Sequence, residues 1–249
     1  MCGKVGSRQS FTKGIQFGFP FLFIFCVMNI EHFYIENGQG SPIIMLHGNT
    51  GKARYFKHQI DVFAQKYHVY AIDTRGHGKT TRGEKPFTIR QFAADLLMFM
   101  DKHAIEKATL LGFSDGGNIA MRFAIAYPER VDKLILNGAN LNARGVKNST
   151  QIPIELKYYF YKLLGIKKHD VEMLGLMVND PNITIEELRT IQAKTLVVVG
   201  TNDVIKEKHS KLIASTLCNS EFAVVEGDHF VALRNSEAFN EKVLDFLSR

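Results

Sequence analysis

The sequence predicts an α/β protein: a mostly parallel, doubly wound sheet flanked by helices, with a small helical lid. Short apolar segments rich in β-branched residues recur from Ile30 onward, and segments with helical periodicity separate them. The apolar segments are nearly continuous rather than alternating, as in strands buried on both faces of a parallel sheet. This alternation stops between Leu141 and Ile191, where only helical patterns occur.

Each element of this fold has its own signal in the chain. His32–Ile35 precedes an Asn37-Gly38 turn, and we interpret it as the start of a short antiparallel edge strand. The predicted parallel strands are Ile43–Leu46, Val69–Ile72, Thr109–Phe113, Leu134–Leu136, Thr195–Val199 and Phe222–Val225. The predicted core helices are Tyr55–Lys66, Ile89–His103, Gly116–Ala126, Lys206–Leu217 and Ser236–Leu247. Strands and helices that alternate in this way predict crossover connections.

The predicted domain organisation is one core, formed by residues 30–140 and 192–249, with a lid insertion at residues 141–191. The lid shows three helical patterns: Ile154–Leu164, Asp170–Val178 and a segment that begins at the capping-box pair Thr184 and Glu187. We expect such an all-helical insertion to cover the sheet rather than to form a separate domain.

Residues 1–29 are an extension that can be interpreted in three ways. Basic residues precede an apolar run, Ile15–Met28, as in a signal peptide, but no small-residue cleavage site follows it. The run is short for a transmembrane helix, and Pro20 interrupts it. We favour a natural start at Met28 and a cytoplasmic protein. The alternatives are an element that packs on the body, and a signal or anchor that would bring export or membrane contact.

Composition excludes several classes of function. The net charge is +6, but no dense Lys/Arg stripe is interleaved with aromatic residues, so we predict no nucleic-acid partner. The three cysteines, Cys2, Cys26 and Cys218, are far apart, which predicts neither a disulfide framework nor a cysteine metal site. The histidines lack metal-ligand spacing, and no dinucleotide-binding glycine motif follows the first strand. We therefore predict neither metal nor cofactor.

One motif points to nucleophilic catalysis. Gly112-Phe113-Ser114-Asp115-Gly116 matches G-x-S-x-G directly between a predicted strand and a predicted helix. In that context a sharp turn holds the serine hydroxyl above the sheet, at a helix N-terminus that favours developing negative charge. Ser114 is therefore the candidate nucleophile.

With this motif, the chain resembles the serine-nucleophile branch of the α/β-hydrolase family over nearly everything after Ile30. Further segments carry the resemblance: IIMLHG at Ile43–Gly48, IDTRGHG at Ile72–Gly78, VVVGTND at Val197–Asp203 and EGDHF at Glu226–Phe230. The resemblance implies that Asp203 is the acid and His229 the base, in the family's chain order.

Physical reasoning favours the same roles. A serine needs an adjacent base, histidine has a suitable pKa, and a carboxylate fixes its tautomer. The competitors are weaker: Asp228 is adjacent to His229 in sequence, and adjacent side chains rarely meet as triad partners require. In the family, the usual role of a residue such as His47 is to shape the loop, and we interpret His77 as a hydrogen-bonding loop residue.

The remaining site predictions concern substrate contacts. The backbone N–H groups of Asn49 and Asp115 are predicted to form the oxyanion hole. Ser-Asp-Gly-Gly at the elbow is similar to valacyclovir-hydrolase-like members, which act on amino-acid esters, so the Asp115 carboxylate could pair with a substrate amine; it could also face water or a lysine. Tyr159 and Met177 of the lid are candidates for lining an apolar pocket.

The resulting prediction is a serine esterase that cleaves a carboxylic ester, or a related acyl bond, of a small or medium-sized substrate through an acyl-enzyme. Alternatives on the same triad are a carbon–carbon bond hydrolase and a cofactor-free perhydrolase. An alternative of another class is a member of the fold that binds a ligand or partner without turnover. The sequence leaves the oligomeric state open.

Overall fold

The computed structural model describes residues 30–249. The three interpretations of residues 1–29 therefore concern residues that lie outside the described part of the chain. A sheet of seven strands has the order β1-β3-β2-β4-β5-β6-β7. The strands are β1 (Tyr34–Asn37), β2 (Pro42–Leu46), β3 (His68–Ile72), β4 (Ala108–Phe113), β5 (Val131–Asn137), β6 (Lys194–Asn202) and β7 (Ser220–Asp228). Only β1 pairs antiparallel, against β3, and the other pairs are parallel. The predicted fold class is confirmed.

Helices connect the strands and cover both faces of the sheet. They are α1 (Lys57–Phe63), α2 (Ile89–Lys102), α3 (Asp115–Ala126), α4 (Asn148–Leu164), α5 (Lys168–Asn179), α6 (Ile185–Arg189), α7 (Glu207–Thr216), α8 (Val231–Arg234) and α9 (Ser236–Ser248). Among residues 30–249 no helix combines the length and the apolar character that a membrane crossing requires.

The core consists of two apolar layers, one on each face of the sheet. On one face, α2 and α3 contribute residues such as Phe99 and Phe123, which are fully buried. On the other, α1 and α9 contribute Phe63, Phe239 and Phe246. Strand side chains alternate between these layers, and the central strand β4 is buried at all six positions. Burial on both faces explains why the strands are continuously apolar in sequence.

The 141–191 segment leaves the sheet after β5 and returns at β6, and it contains α4, α5 and α6. Polar contacts join it to the core. Arg82 pairs with Glu172 of α5, and Arg122 of α3 binds Glu187 of α6 at 2.6 Å. An isolated antiparallel bridge between Val146 and Ile205 joins the start of the segment to the loop that follows β6.

Parallel strands bring the predicted catalytic residues to one edge. Ser114 directly follows β4, Asp203 follows β6 and His229 follows β7. Because β4, β5, β6 and β7 are neighbours in that order, these three residues follow strands that all end at the carboxyl edge of the sheet.

Candidate active site

Ser114 lies on a strained turn between β4 and α3. Its backbone has φ 53° and ψ −120°, a conformation that L-residues rarely adopt outside sites where the surroundings enforce it. The two motif glycines make the turn possible. A Cβ on Gly116 would lie 1.9 Å from the carbonyl oxygen of Leu46, and a Cβ on Gly112 would lie 2.3 Å from that of Gly116. The spacing of G-x-S-x-G therefore reflects two close backbone approaches around the serine.

The side chains of His229 and Asp203 form a buried pair. His229 Nδ1 lies 2.7 Å from Asp203 Oδ1, and both side chains are almost inaccessible to solvent. An ionised carboxylate can only accept hydrogen bonds, so Nδ1 carries a hydrogen and the Nδ1–H group donates a hydrogen bond to Asp203. This hydrogen bond leaves Nε2 as the acceptor of the tautomer that a general base requires.

Asp203 is held in its ionised form. Burial acts to raise the pKa of its carboxyl, but hydrogen bonds outweigh burial and the pKa lies below its usual value. The donors are His229 Nδ1, the N–H of Ile205 at 2.9 Å and the N–H of Gly200 at 3.3 Å. These bonds fix the carboxylate between the end of β6 and the loop beyond it.

Ser114 and His229 line the same cavity. Its volume is about 550 Å³, and its wall also includes Phe113 and Phe230. The ring of Phe113 lies 4.8 Å from that of His229, measured between centroids. The cavity is large enough for a small or medium-sized molecule, and its wall combines apolar surface with a few polar groups, as ligand sites commonly do.

The two predicted oxyanion donors, Asn49 and Asp115, also line this cavity. Asp115 is the first residue of α3, so its N–H has no acceptor within the helix. Among the described residues the N–H of Asn49 likewise donates to no backbone oxygen. Both groups are therefore free to donate to a ligand in the cavity.

The carboxylate of Asp115 is buried and bound by amides rather than by a lysine. Asn49 Nδ2 donates to its Oδ2 at 2.9 Å, and Asn118 Nδ2 donates to its Oδ1 at 3.2 Å. Burial raises the pKa of this carboxyl to about 6, against the lowering effect of both hydrogen bonds. Asn49 Nδ2 also donates to the carbonyl oxygen of Met173 at 2.7 Å, so one amide joins the loop after β2, the residue that follows Ser114, and α5.

The competing titratable residues occupy structural positions. His47 accepts a hydrogen bond at Nε2 from the N–H of Thr74 at 3.0 Å, and His77 Nδ1 lies 3.0 Å from the carbonyl oxygen of Arg75. Burial lowers the pKa of each ring to about 4, so both are neutral at physiological pH. Asp228 accepts from the N–H of Phe230 and pairs with Arg234, so its carboxylate is engaged away from His229.

The 141–191 segment supplies a large share of the cavity wall. Met177 lines the cavity as expected, whereas Tyr159 does not: it is 58% exposed, and the buried neighbour is Tyr158. Asp170 and Leu174 of α5 also line the cavity and were not predicted. Together with Met173 and Met177 they have the helical spacing i, i+3, i+4, i+7. This spacing was the signal that could have identified them.

Two buried polar atoms in the cavity wall have no hydrogen-bond partner among the described residues: Asn49 Oδ1 and His77 Nε2. Unpaired buried polar groups are costly, and they are common where a ligand completes the bonding. Within residues 30–249, no cluster of three or more potential metal ligands occurs.

Comparisons with known proteins give a consistent result. Residues 41–172 match the profile of the family described as alpha/beta hydrolase fold. A protein of Azorhizobium caulinodans assigned as a carbamate hydrolase is 36% identical over 107 residues, which cover 43% of this chain and 40% of that protein. A 2-hydroxy-6-oxononadienedioate/2-hydroxy-6-oxononatrienedioate hydrolase of Comamonas testosteroni is 27% identical over 86% of this chain and 90% of its own length.

Among solved structures, a meta-cleavage product hydrolase from Pseudomonas fluorescens superposes with a TM-score of 0.74 at 23% identity. The match covers 89% of this chain and 95% of that one. At this level of identity the likeness concerns the fold.

Proposed function

The chain belongs to the alpha/beta hydrolase fold family and is a hydrolase, and we propose that it cleaves a carboxylic ester, or a related acyl bond, of a small or medium-sized substrate through Ser114, His229 and Asp203. One observation carries this proposal. The buried His229–Asp203 pair and the strained Ser114 meet at a single cavity at the carboxyl edge of the sheet. A protein that only binds a ligand has no need of a histidine paired with a buried carboxylate in the same cavity as a serine in this backbone conformation.

In the proposed mechanism the substrate carbonyl enters the cavity above Ser114. Ser114 Oγ attacks the carbonyl carbon while His229 Nε2 takes the hydroxyl proton, and the N–H groups of Asn49 and Asp115 donate to the oxygen that becomes negative. The protonated ring then gives its proton to the leaving alcohol as the C–O bond breaks, which leaves an acyl-enzyme. A water molecule, deprotonated by His229, hydrolyses this ester and regenerates Ser114.

Asp203 would orient the ring of His229 and stabilise its protonated form. The hydrogen bonds from Ile205 and Gly200 support this role, because they hold the carboxylate in place while leaving it ionised. Apart from the substrate and the hydrolytic water, the reaction as proposed uses side-chain and backbone groups of the chain.

We further propose that the Asp115 carboxylate recognises a substrate amine. With a pKa of about 6 it is ionised at neutral pH, and it lines the cavity next to the nucleophile. Its two amide donors leave acceptor capacity on the carboxylate for a substrate ammonium group. Comparing amino-acid esters with matched acyl esters that lack the amine tests this role, and equal kcat/KM values for the two would exclude it.

The serine nucleophile can be tested without knowing the substrate. A fluorophosphonate probe should label the wild-type protein rapidly, and Ser114→Ala should abolish the labelling. Ser149→Ala is the matched control, since that serine lies at the start of α4 and is not among the residues that line the cavity. A folded wild-type protein that resists the probe would favour a ligand-binding member of the fold.

A carbon–carbon bond hydrolase is the second candidate. The Comamonas testosteroni relative that matches 86% of this chain is named for oxo-dicarboxylate substrates whose names describe no ester bond, so that hydrolysis of such a substrate would cleave a carbon–carbon bond. A substrate panel of p-nitrophenyl esters, amino-acid esters and vinylogous diketones separates the two activities. Higher kcat/KM on the diketones than on any ester would assign the carbon–carbon reaction, with Ser114→Ala as the control in both cases.

A further inference from the structure

The exposed apolar side chains of this protein are concentrated on one helix. Ten large hydrophobic residues are exposed in the described part of the chain, and seven of them lie between Ile152 and Ile166. Leu163 is the extreme case, with 84% of its surface accessible. A contiguous exposed apolar patch on an otherwise polar surface marks an interaction site.

The pattern on α4 is regular. At ~100° per residue, five exposed residues fall within about 100° of the helix circumference. They are Ile152, Leu156, Tyr159, Phe160 and Leu163, and we call them the outer face of α4. The opposite side holds the buried residues Gln151 and Tyr158, which form hydrogen bonds with Met177 and Asn179 of α5. The outer face is thus an apolar stripe in which every residue is more than half exposed.

Basic residues border this stripe on both sides. By the same helical geometry Lys162 lies beyond one edge of the outer face and Lys157 beyond the other. Lys167 and Lys168 follow shortly after the helix ends. From residue 148 to residue 168 there are four lysines and one acid, Glu155, which accepts a hydrogen bond from Gln151 at 2.9 Å. The charge next to the apolar stripe is therefore strongly positive.

We propose that the outer face of α4 docks on an anionic lipid bilayer. Leucine and aromatic side chains on one face, with lysines along its borders, suit a helix that lies in the plane of the interface, because the long lysine side chains reach the headgroups while the stripe enters the acyl region. A second copy of the chain fits less well, since pairing two outer faces would bring lysine-rich borders together.

The location of α4 gives this docking a consequence for the cavity. Thr150 and Lys157 of α4 line the cavity that contains Ser114, so the docked helix is also part of the cavity wall. A protein docked through α4 would hold its cavity next to the lipid–water interface. This inference stands independently of the catalytic proposal, because docking requires no turnover.

The absence of tryptophan from the chain allows a direct test. Phe160→Trp in the full-length protein introduces one fluorophore on the outer face, and Leu212→Trp, at an exposed position on α7, is the matched control. With vesicles of phosphatidylcholine mixed with phosphatidylserine, we expect the emission of the Phe160→Trp variant to shift to shorter wavelength and to be quenched by brominated lipid. The Leu212→Trp variant should show neither change.

A second pair of variants tests whether the stripe drives the binding. In vesicle co-sedimentation, Leu156→Ser with Leu163→Ser should weaken binding by about tenfold or more, since two apolar side chains no longer leave water. Leu212→Ser should bind like the wild type, and pure phosphatidylcholine should bind less protein than the anionic mixture. Thermal unfolding verifies that both variants are folded.

Three results would overturn the proposal. One is that the wild-type protein binds neither type of vesicle. Another is undiminished binding by the double serine variant, which would assign the binding to another part of the chain, such as residues 15–28. The third is a wild-type dimer that the double serine variant dissociates while vesicles bind neither protein, which would assign the outer face to a second copy of the chain.

Discussion

The carboxyl edge of the sheet and the helix α4 both border the same cavity, but the outer face of α4 lies on the exposed side of that helix. At the sheet edge, Ser114, Asp203 and His229 are fixed by backbone turns and by hydrogen bonds to buried groups. On α4, one side of the helix closes the cavity while the other leaves Phe160 and Leu163 in solvent. The two regions therefore differ in how far their side chains are buried and bonded within the fold.

This difference indicates where sequence changes should be costly. At the sheet edge several features hold each side chain in one conformation: the strand ends, the motif glycines and the hydrogen bonds to the carboxylate. The side chains on the outer face of α4 are mostly exposed, so the fold of the described residues depends little on them. Substitutions should therefore abolish chemistry at the first region and change only surface behaviour at the second.

The largest expected effect tests this contrast directly. Ser114→Ala should lower kcat on a reactive ester by about 10⁴- to 10⁶-fold, because the attacking group is lost. Leu163→Ser should leave kcat on the same water-soluble ester within about twofold, since surface substitutions rarely perturb a distant site. Initial rates with both purified variants measure the difference. A Leu163→Ser variant as inactive as Ser114→Ala would remove the distinction between the regions.

The next effect concerns the orientation of the base. Asp203→Asn should reduce kcat by about 10⁴-fold, because an amide at this position can donate to Nδ1 and thereby favour the wrong ring tautomer. The Asp228→Asn variant is the matched control, and it should retain nearly full activity. Steady-state kinetics separates the two outcomes. Equal losses in both variants would contradict the assignment of Asp203 as the acid.

Stability provides a matched pair of phenylalanines. Phe123 of α3 is fully buried, whereas Phe160 is 56% exposed. Phe123→Ala should lower the free energy of unfolding by about 3–5 kcal/mol through lost burial and a cavity. Phe160→Ala should change it by less than about 0.5 kcal/mol. Urea unfolding measures both, and similar losses would show that the outer face packs against something.

The smallest effect is the pH dependence of Asp115. Burial raises the pKa of its carboxyl in the folded protein to about 6, above the usual value of 3.8. Its contribution to stability is therefore complete below about pH 4 and is lost as the pH rises through about 6. Relative to Asp115→Asn, the wild type should lose about 1–3 kcal/mol between these limits. Urea unfolding at several pH values tests this, and a constant difference would contradict it.

The strands were predictable, because burial on both faces leaves an uninterrupted apolar signal. The positions of Ser114, Asp203 and His229 after strand ends follow from the same signal. The strand β7 is longer than its apolar core, Phe222–Val225, since its polar ends still pair with β6. The predicted edge strand at His32–Ile35 is observed at Tyr34–Asn37. The capping box of Thr184 and Glu187 is present as predicted, with both reciprocal hydrogen bonds.

Sequence patterns were less informative in the 141–191 segment. The helix α4 begins at Asn148 rather than at Ile154, because its first turns are polar and include Pro153, which hid the helical pattern. Four consecutive aromatic residues follow at 158–161, and neighbours on a helix differ by about 100° in direction. Composition does not decide which tyrosine of this run is buried. The prediction that Tyr159 lines the pocket was therefore wrong, and the structure buries Tyr158 instead.

The ends of the 141–191 segment have a further consequence. The chain leaves from β5 and returns into β6, and these strands are direct neighbours whose ladder pairs Asn137 with Val198. An insertion that begins and ends at two paired strands can be replaced by a longer or shorter one without a change in the order of the strands. We therefore expect that this scaffold can accept foreign segments between β5 and β6, and that such chimaeras would acquire new substrate preferences while they keep Ser114 and the turn that holds it.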